Sequence, residues 1–236
     1  MPTPCTDYPR IIAHRCGGLL AVENTLAGFD AAARCGCRGV EFDVMLSADG
    51  VPVLMHDETV DRTTNGCGRV ADMTLAQLRA LDAGGEPVPT LDDALACCQA
   101  LALWANIEIK PSAGQEIITG ATVGRMLAAR WSGSGVVSSF SSVALAAARD
   151  IAPKFRYAML ADRLPADWRQ VTQQLGLIGW HLSSAAEATS LAAVCNAGLC
   201  VACYTVNEID EAQRLFAAGV AAIFSDRPER WRPAEM

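Results

Sequence analysis

Within GVEFDVMLSADGVPVLMHD, residues 39–57, two carboxylates interrupt a run that otherwise reads as buried strand. Glu41 and Asp43 are two residues apart, so an extended chain presents them on one face and Val40, Phe42 and Val44 on the other. Carboxylates in an apolar interior need charged partners, a metal or a chemical task. NIEIK, residues 106–110, repeats the pattern, with Glu108 and Lys110 on one face and Ile107 and Ile109 on the opposite one. Three carboxylates converging on one mouth repel one another unless a cation lies between them. An all-oxygen ligand set selects a hard divalent ion, Mg²⁺ or Ca²⁺ first and Mn²⁺ next, while nearby His and Cys side chains leave Zn²⁺ as an in vitro competitor. His14, closing IIAH, and His56, closing VPVLMH, are suited to acid and base work near neutral pH. Arg15 and Lys110 supply positive charge for an anionic group. Metal, imidazoles and cations together describe attack on a phosphoryl centre.

Taken singly, each residue has a plainer reading. Glu108 with Lys110, or Glu41 with Arg15, would make an ordinary ion pair inside a barrel. His56-Asp57 alone would be a hydrogen-bonded turn. His181, late in LIGWHLS, suits packing or a substrate contact better than chemistry. The functional reading rests on convergence: in a barrel of parallel strands, side chains at the carboxyl ends of strands meet at one mouth.

The elements that would position them are legible. Short β-rich runs at 11–14, 40–44, 105–110, 135–140, 155–160, 177–182, 201–206 and 221–225 alternate with Ala-rich segments of helical periodicity. NTLAGFDAAARCG has Asn24 as its cap and a closing glycine, TLDDALACC starts on Thr90, and DEAQRLFAAG closes on a glycine. Eight strands in a regular βα rhythm over 236 residues predict an α/β fold, a (β/α)₈ TIM barrel forming one domain over residues 1–236. DVMLSADGVPVLMHD adds a hairpin turning at Asp49-Gly50, which sets His56 opposite Asp43. Residues 57–89 are irregular around a short amphipathic MTLAQLRAL and read as an insertion after the second strand.

Composition narrows the partners. Hydrophobic residues make up 51% of the chain, enough for a sizeable core, and the formal net charge of -7 disfavours duplex nucleic acid or an anionic membrane as partner. It does not forbid an anionic small-molecule substrate, because a bound cation reverses the local field. No apolar run approaches the ~20 residues that span a bilayer. MPTPCTDYPR lacks a basic segment followed by an apolar one, so a cytoplasmic protein is expected. The ten cysteines follow no paired metal-binding spacing and are expected as reduced thiols. Oligomeric state is not legible.

The motifs AHR…ENT, EFDV…DG…HD…RTTNG.G, NIEIKP, YTVN and FSDRP, in that order over nearly the whole chain, resemble the glycerophosphodiester phosphodiesterases, most closely the bacterial cytosolic type. The resemblance implies a TIM barrel with a small insertion after the second strand. It implies Glu41, Asp43 and Glu108 as ligands of a divalent metal, His14 and His56 as acid and base, and Arg15 and Lys110 on the phosphate. The implied reaction splits small glycerophosphodiesters to sn-glycerol 3-phosphate and an alcohol, by direct attack of water or through a cyclic phosphate formed by the glycerol 2-hydroxyl. Related barrels acting on lysophospholipids, or binding phosphate without catalysis, are the alternatives. Cys16 stands where the family has glycine and is expected to bring an oxidisable thiol near the metal. Val22 replaces a proline before ENT. Tyr204 replaces a tryptophan and is expected to shape the alcohol pocket. LDAGGEPVP is short for the family, so a more open cover over the site is expected.

Overall fold

The computed structural model describes residue 5 and residues 7–231. Its strands run Val-, Ile- and Ala-rich and are buried on both faces, as parallel strands covered by helices must be. In chain order they are β1 Ile11–Ala13, β2 Gly39–Leu46, β3 Pro52–Leu54, β4 Trp104–Ile109, β5 Gly135–Ser139, β6 Tyr157–Ala161, β7 Gly179–Ser183, β8 Cys200–Tyr204 and β9 Ala222–Ser225. Eight of them form a closed parallel barrel, since β1 pairs with both β2 and β9. β3 is the ninth and lies outside the ring, antiparallel on β2.

The hairpin differs from expectation by one register step. Ser47 N–H donates to Val51 O across a three-residue loop, with Gly50 at φ +76°. The pairs are therefore Val44 with Leu54 and Leu46 with Pro52, and Met55 N–H meets Asp43 O. A two-residue turn would have set His56 there. A glycine able to take a left-handed φ permits the longer loop, and the register shifts accordingly.

The helices are α1 Leu26–Arg34, α2 Leu75–Arg79, α3 Leu91–Ala100, α4 Glu116–Arg130, α5 Ser142–Ile151, α6 Trp168–Leu175, α7 Ala188–Asn196 and α8 Ile209–Ala217. α3 starts at the expected Thr90, which forms a capping box with Asp93. α1 starts differently: Thr25 precedes it without a side-chain cap bond, and Glu86 accepts from Leu26 N–H and Ala27 N–H instead. Asn24 is thereby free for another task. Residues 57–89 pack a small core of their own, Val60, Val70, Leu78 and Val88, against Met45 and Val53 of the hairpin.

The main core lies between barrel and helices. A second core fills the barrel's interior, where Ile12, Trp104, Val136, Ala158, Cys200, Ala222 and Phe224 meet Tyr8 of the segment that crosses the floor. That crossing overturns the expectation that every cysteine is a thiol. Cys5 and Cys200, 195 positions apart in sequence, are brought to a Cα separation of 5.4 Å and joined in a disulfide. The other eight cysteines are free. Among the described residues no helix is long and apolar enough to cross a membrane.

Candidate active site

β2 and β4 lie side by side with Asp43 opposite Glu108 and Glu41 opposite Asn106. Strand alternation turns all four inward, and the pairing brings one ligand oxygen from each of Glu41, Asp43 and Glu108 within 4.8 Å of the others. All three carboxylates are buried. Burial, and then the charge of Asp43, push Glu41 well above the ordinary carboxylate range and raise Glu108 to about 8. Glu41 accepts from Arg15 N–H at 2.8 Å through Oε2, while its Oε1 is buried without a partner. A buried, unpartnered carboxylate oxygen beside two further carboxylates is what an oxygen-ligated cation would satisfy.

Asn24 fixes the second carboxylate. Its Nδ2 donates to Asp43 Oδ2 at 2.8 Å and its Oδ1 accepts from Asp43 N–H at 3.0 Å. This two-point grip holds Asn24 at φ +58°, a left-handed conformation that Asn tolerates better than most residues. Lys110 Nζ reaches Asp43 Oδ1 at 3.6 Å, so the plain ion pair foreseen for Lys110 forms with Asp43 and not with Glu108.

The two histidines are held in one manner. His14 Nδ1 lies 2.6 Å from Asp226 Oδ1, and His56 Nδ1 lies 2.7 Å from Asp57 Oδ1. An ionised carboxylate only accepts, so each Nδ1 carries the proton and each Nε2 is free for the cavity. Hydrogen bonding to His14 holds Asp226 below the ordinary range, and hydrogen bonding to Arg62 does the same for Asp57. Burial lowers His56 from its ordinary value, against the opposing pull of Asp43 and Asp57. His14 Nε2 is 3.8 Å from Glu41 Oε2. Asn207 supports Asp226 in turn, donating from Nδ2 to Oδ2 at 3.3 Å and accepting Asp226 N–H at 2.8 Å.

Arg15, at φ +51°, is turned by Glu23, which accepts from its guanidinium at 3.0 Å. Arg62 grips the same Glu23 carboxylate with two bonds of 2.7 Å and also donates to Asp57. Arg15 Nε remains buried and unpartnered. His14, Arg15, Glu41, Asp43, His56, Glu108, Lys110 and Tyr204 all line one cavity of about 170 Å³, joined by Asn106, Phe140, Leu160, Thr205 and Phe224. Its polar half faces an apolar half in which Phe140 and Tyr204 pack edge to face with centroids 5.9 Å apart. A larger hollow of about 1060 Å³ opens at the amino ends of the strands, around Arg38, Trp104 and Trp131, away from these groups.

Of the nine residues expected in the catalytic, metal or substrate set, His181 alone does not line the cavity. It lies fully buried below it, its Nε2 3.1 Å from Tyr8 Oη and its ring against Phe224. Burial lowers it to about 3, so the ring is neutral. Cys16 also departs from expectation. Its side chain packs toward Gly28 in the helix-side core, and burial, followed by Glu41, pushes its thiol well up, which disfavours the nucleophilic thiolate. Glu23, Asn24, Asp57, Arg62, Asn207 and Asp226 carry the supporting bonds; of these the sequence suggests only Asn24, as a helix cap, and Asp57, as part of a turn, and none as a support for the site. Their signal was present in ENT, HD, RTTNG, YTVN and FSDRP, as polar residues flanking the chemical ones.

A closed parallel barrel whose buried carboxylates, oriented imidazoles and cations meet at the carboxyl ends of its strands is an enzyme of the TIM-barrel class. Residues 14–230 match the model of the glycerophosphoryl diester phosphodiesterase family, and the chain belongs to that family. It is 33% identical to a glycerophosphodiester phosphodiesterase of Caldanaerobacter subterraneus, over 93% of this chain and 94% of that one. Among solved structures, it is similar to an Oleispira antarctica phosphodiesterase in complex with the product sn-glycerol-3-phosphate, with a TM-score of 0.92, 32% identity and 96% of both chains covered. It is similar also to the glycerophosphodiester phosphodiesterase of Agrobacterium tumefaciens, with a TM-score of 0.74, 30% identity, and 94% of this chain and 98% of that one covered. The chain is a glycerophosphodiester phosphodiesterase.

Proposed function

We propose that Glu41, Asp43 and Glu108 hold one divalent cation, Mg²⁺ or Ca²⁺ first, and that the enzyme hydrolyses small glycerophosphodiesters to sn-glycerol 3-phosphate and a free alcohol. The carrying observation is the buried carboxylate cluster with its unpartnered Glu41 Oε1. When bound, such an ion supplies Lewis-acid polarisation of a phosphoryl oxygen and neutralises the cluster. Arg15, through its free Nε, and Lys110 bind the phosphate. His14 and His56 act through Nε2, one removing a proton from the attacking water or glycerol 2-hydroxyl and the other delivering one to the leaving alcohol. Asp226 and Asp57 hold the Nδ1 proton of each ring, which leaves Nε2 bare on the ring acting as base and stabilises the imidazolium, protonated at Nε2 as well, on the ring acting as acid. Phe140 and Tyr204 form the wall against the alcohol. His181 is left outside the substrate set by its position beneath the cavity. The product held by the Oleispira relative supports the choice of bond.

Phosphorus NMR of glycerophosphocholine and glycerophosphoethanolamine turnover tests this reading. Glycerol 3-phosphate from both is expected, and phosphocholine or phosphoethanolamine would reverse the binding polarity and overturn it.

A further inference from the structure

Far from the catalytic mouth, α1 is followed by Cys35-Gly36-Cys37, just before β2 begins at Gly39. The Cys35 and Cys37 sulfurs lie 3.9 Å apart. Among the described residues this is the one pair of free thiols within sulfur–sulfur hydrogen-bond distance. The residue between them is a glycine at φ +95°, a conformation open to glycine and strained for others. Both cysteines are tied to the last turn of α1, where Ala32 O accepts from Cys35 Sγ and from Cys37 N–H. Cys35 is partly exposed and Cys37 is buried, the arrangement of an attacking and a resolving thiol. The Cys37 thiol, hydrogen-bonding to Cys35, lowers it to about 7, while the same contact raises Cys37.

From this geometry we propose that Cys35 and Cys37 form a redox-active dithiol, a thiol–disulfide exchange site for small disulfides of the glutathione type. The Cys35 thiolate attacks one sulfur of the small disulfide, a mixed disulfide forms, and one small thiolate leaves. Cys37 loses its proton and attacks Cys35 Sγ, and the second small thiolate leaves. Two protein thiols are oxidised to one disulfide and the small disulfide is reduced to two thiols. The sulfurs close from 3.9 Å to the bond length of about 2.05 Å, with Gly36 absorbing the change. The pair sits at the amino end of β2, and the carboxylates and imidazoles sit toward the carboxyl ends of their strands, so oxidation leaves catalysis in place.

The test exposes the protein to glutathione disulfide in a Cys67→Ser background, which removes an exposed thiol, and follows it by intact mass and peptide mapping. The fragment carrying Cys35 and Cys37 is expected to lose two hydrogens with no glutathione retained, while phosphodiesterase turnover changes less than twofold. In Cys37→Ser the reaction is expected to stop with one glutathionyl group on Cys35, and dithiothreitol reverses both products. A wild-type adduct that persists on Cys35, or two thiols that stay unmodified while other cysteines react, would overturn the proposal.

Discussion

At the scale of single residues, His14 and His56 share one design: Nδ1 on an ionised carboxylate, Nε2 toward the cavity. Glutamine in place of either keeps much of the shape and removes proton transfer. His14→Gln and His56→Gln are each expected to lower kcat by about 10²–10⁴-fold while leaving metal affinity within a few-fold, measured by calorimetric titration beside the rate. A rate loss that tracks lost metal binding would contradict the roles assigned. All three carboxylates were legible in the sequence, because period-two alternation marks polar residues in apolar strands without coordinates, and both histidines because each closes such a strand. Asn24 was not. Its place before an apolar helical run reads as a cap, and only the fold reveals that Glu86, 60 residues from Leu26, caps α1 and leaves Asn24 for Asp43. The helix-side packing of Cys16 is hidden for a related reason: neighbourhood in sequence to Arg15 says nothing of which side of the barrel wall a thiol faces.

At the scale of elements, the site depends on strand register and on helices seated tightly around the barrel. The βα rhythm located all eight barrel strands within a few residues, since buried parallel strands read as short apolar runs. The hairpin register was missed by one, because a two-residue and a three-residue loop share the same Asp-Gly signal. Close seating is clearest between α4 and α5. A Cβ on Gly120 would stand 2.1 Å from Ala144 O, a backbone atom with no room to yield. Gly120→Ala is therefore expected to cost about 1–3 kcal/mol, more than its gain in helix propensity returns. Urea denaturation would register it as a lower midpoint at unchanged slope. An unchanged or raised midpoint would mean that α4 is free to move away from α5.

At the scale of the whole molecule, the barrel is chemically polarised: carboxylates, imidazoles and cations above, an apolar plug below, with Tyr8 and His181 at the join. His181 titrates near 6.5 in an unfolded chain and at about 3 in the fold. Between those values the unfolded chain binds more protons, so stability falls as pH drops through that window, by at most about 1.4 kcal/mol per pH unit. Above the window His181 is neutral in both states and contributes no slope. His181→Gln retains a partner for Tyr8 and does not titrate, so denaturation midpoints measured from pH 7 to pH 4 are expected to fall less steeply than in the wild type. Equal slopes would show that His181 is not the group that acid charges. The floor was the part least visible beforehand. Tyr8 at the barrel's foot and the Cys5–Cys200 bond are contacts of high sequence separation, which no local pattern encodes.

Hydrolysis is proposed to depend on a cation held by the three buried carboxylates Glu41, Asp43 and Glu108. The most direct test measures glycerol 3-phosphate release from glycerophosphocholine by chelator-stripped protein, then with added Mg²⁺, Ca²⁺ or Mn²⁺, beside Glu41→Gln treated identically. No release is expected from stripped wild type, recovery with a divalent ion, and no recovery in a folded Glu41→Gln. Full turnover in chelator, or in Glu41→Gln, would contradict this dependence.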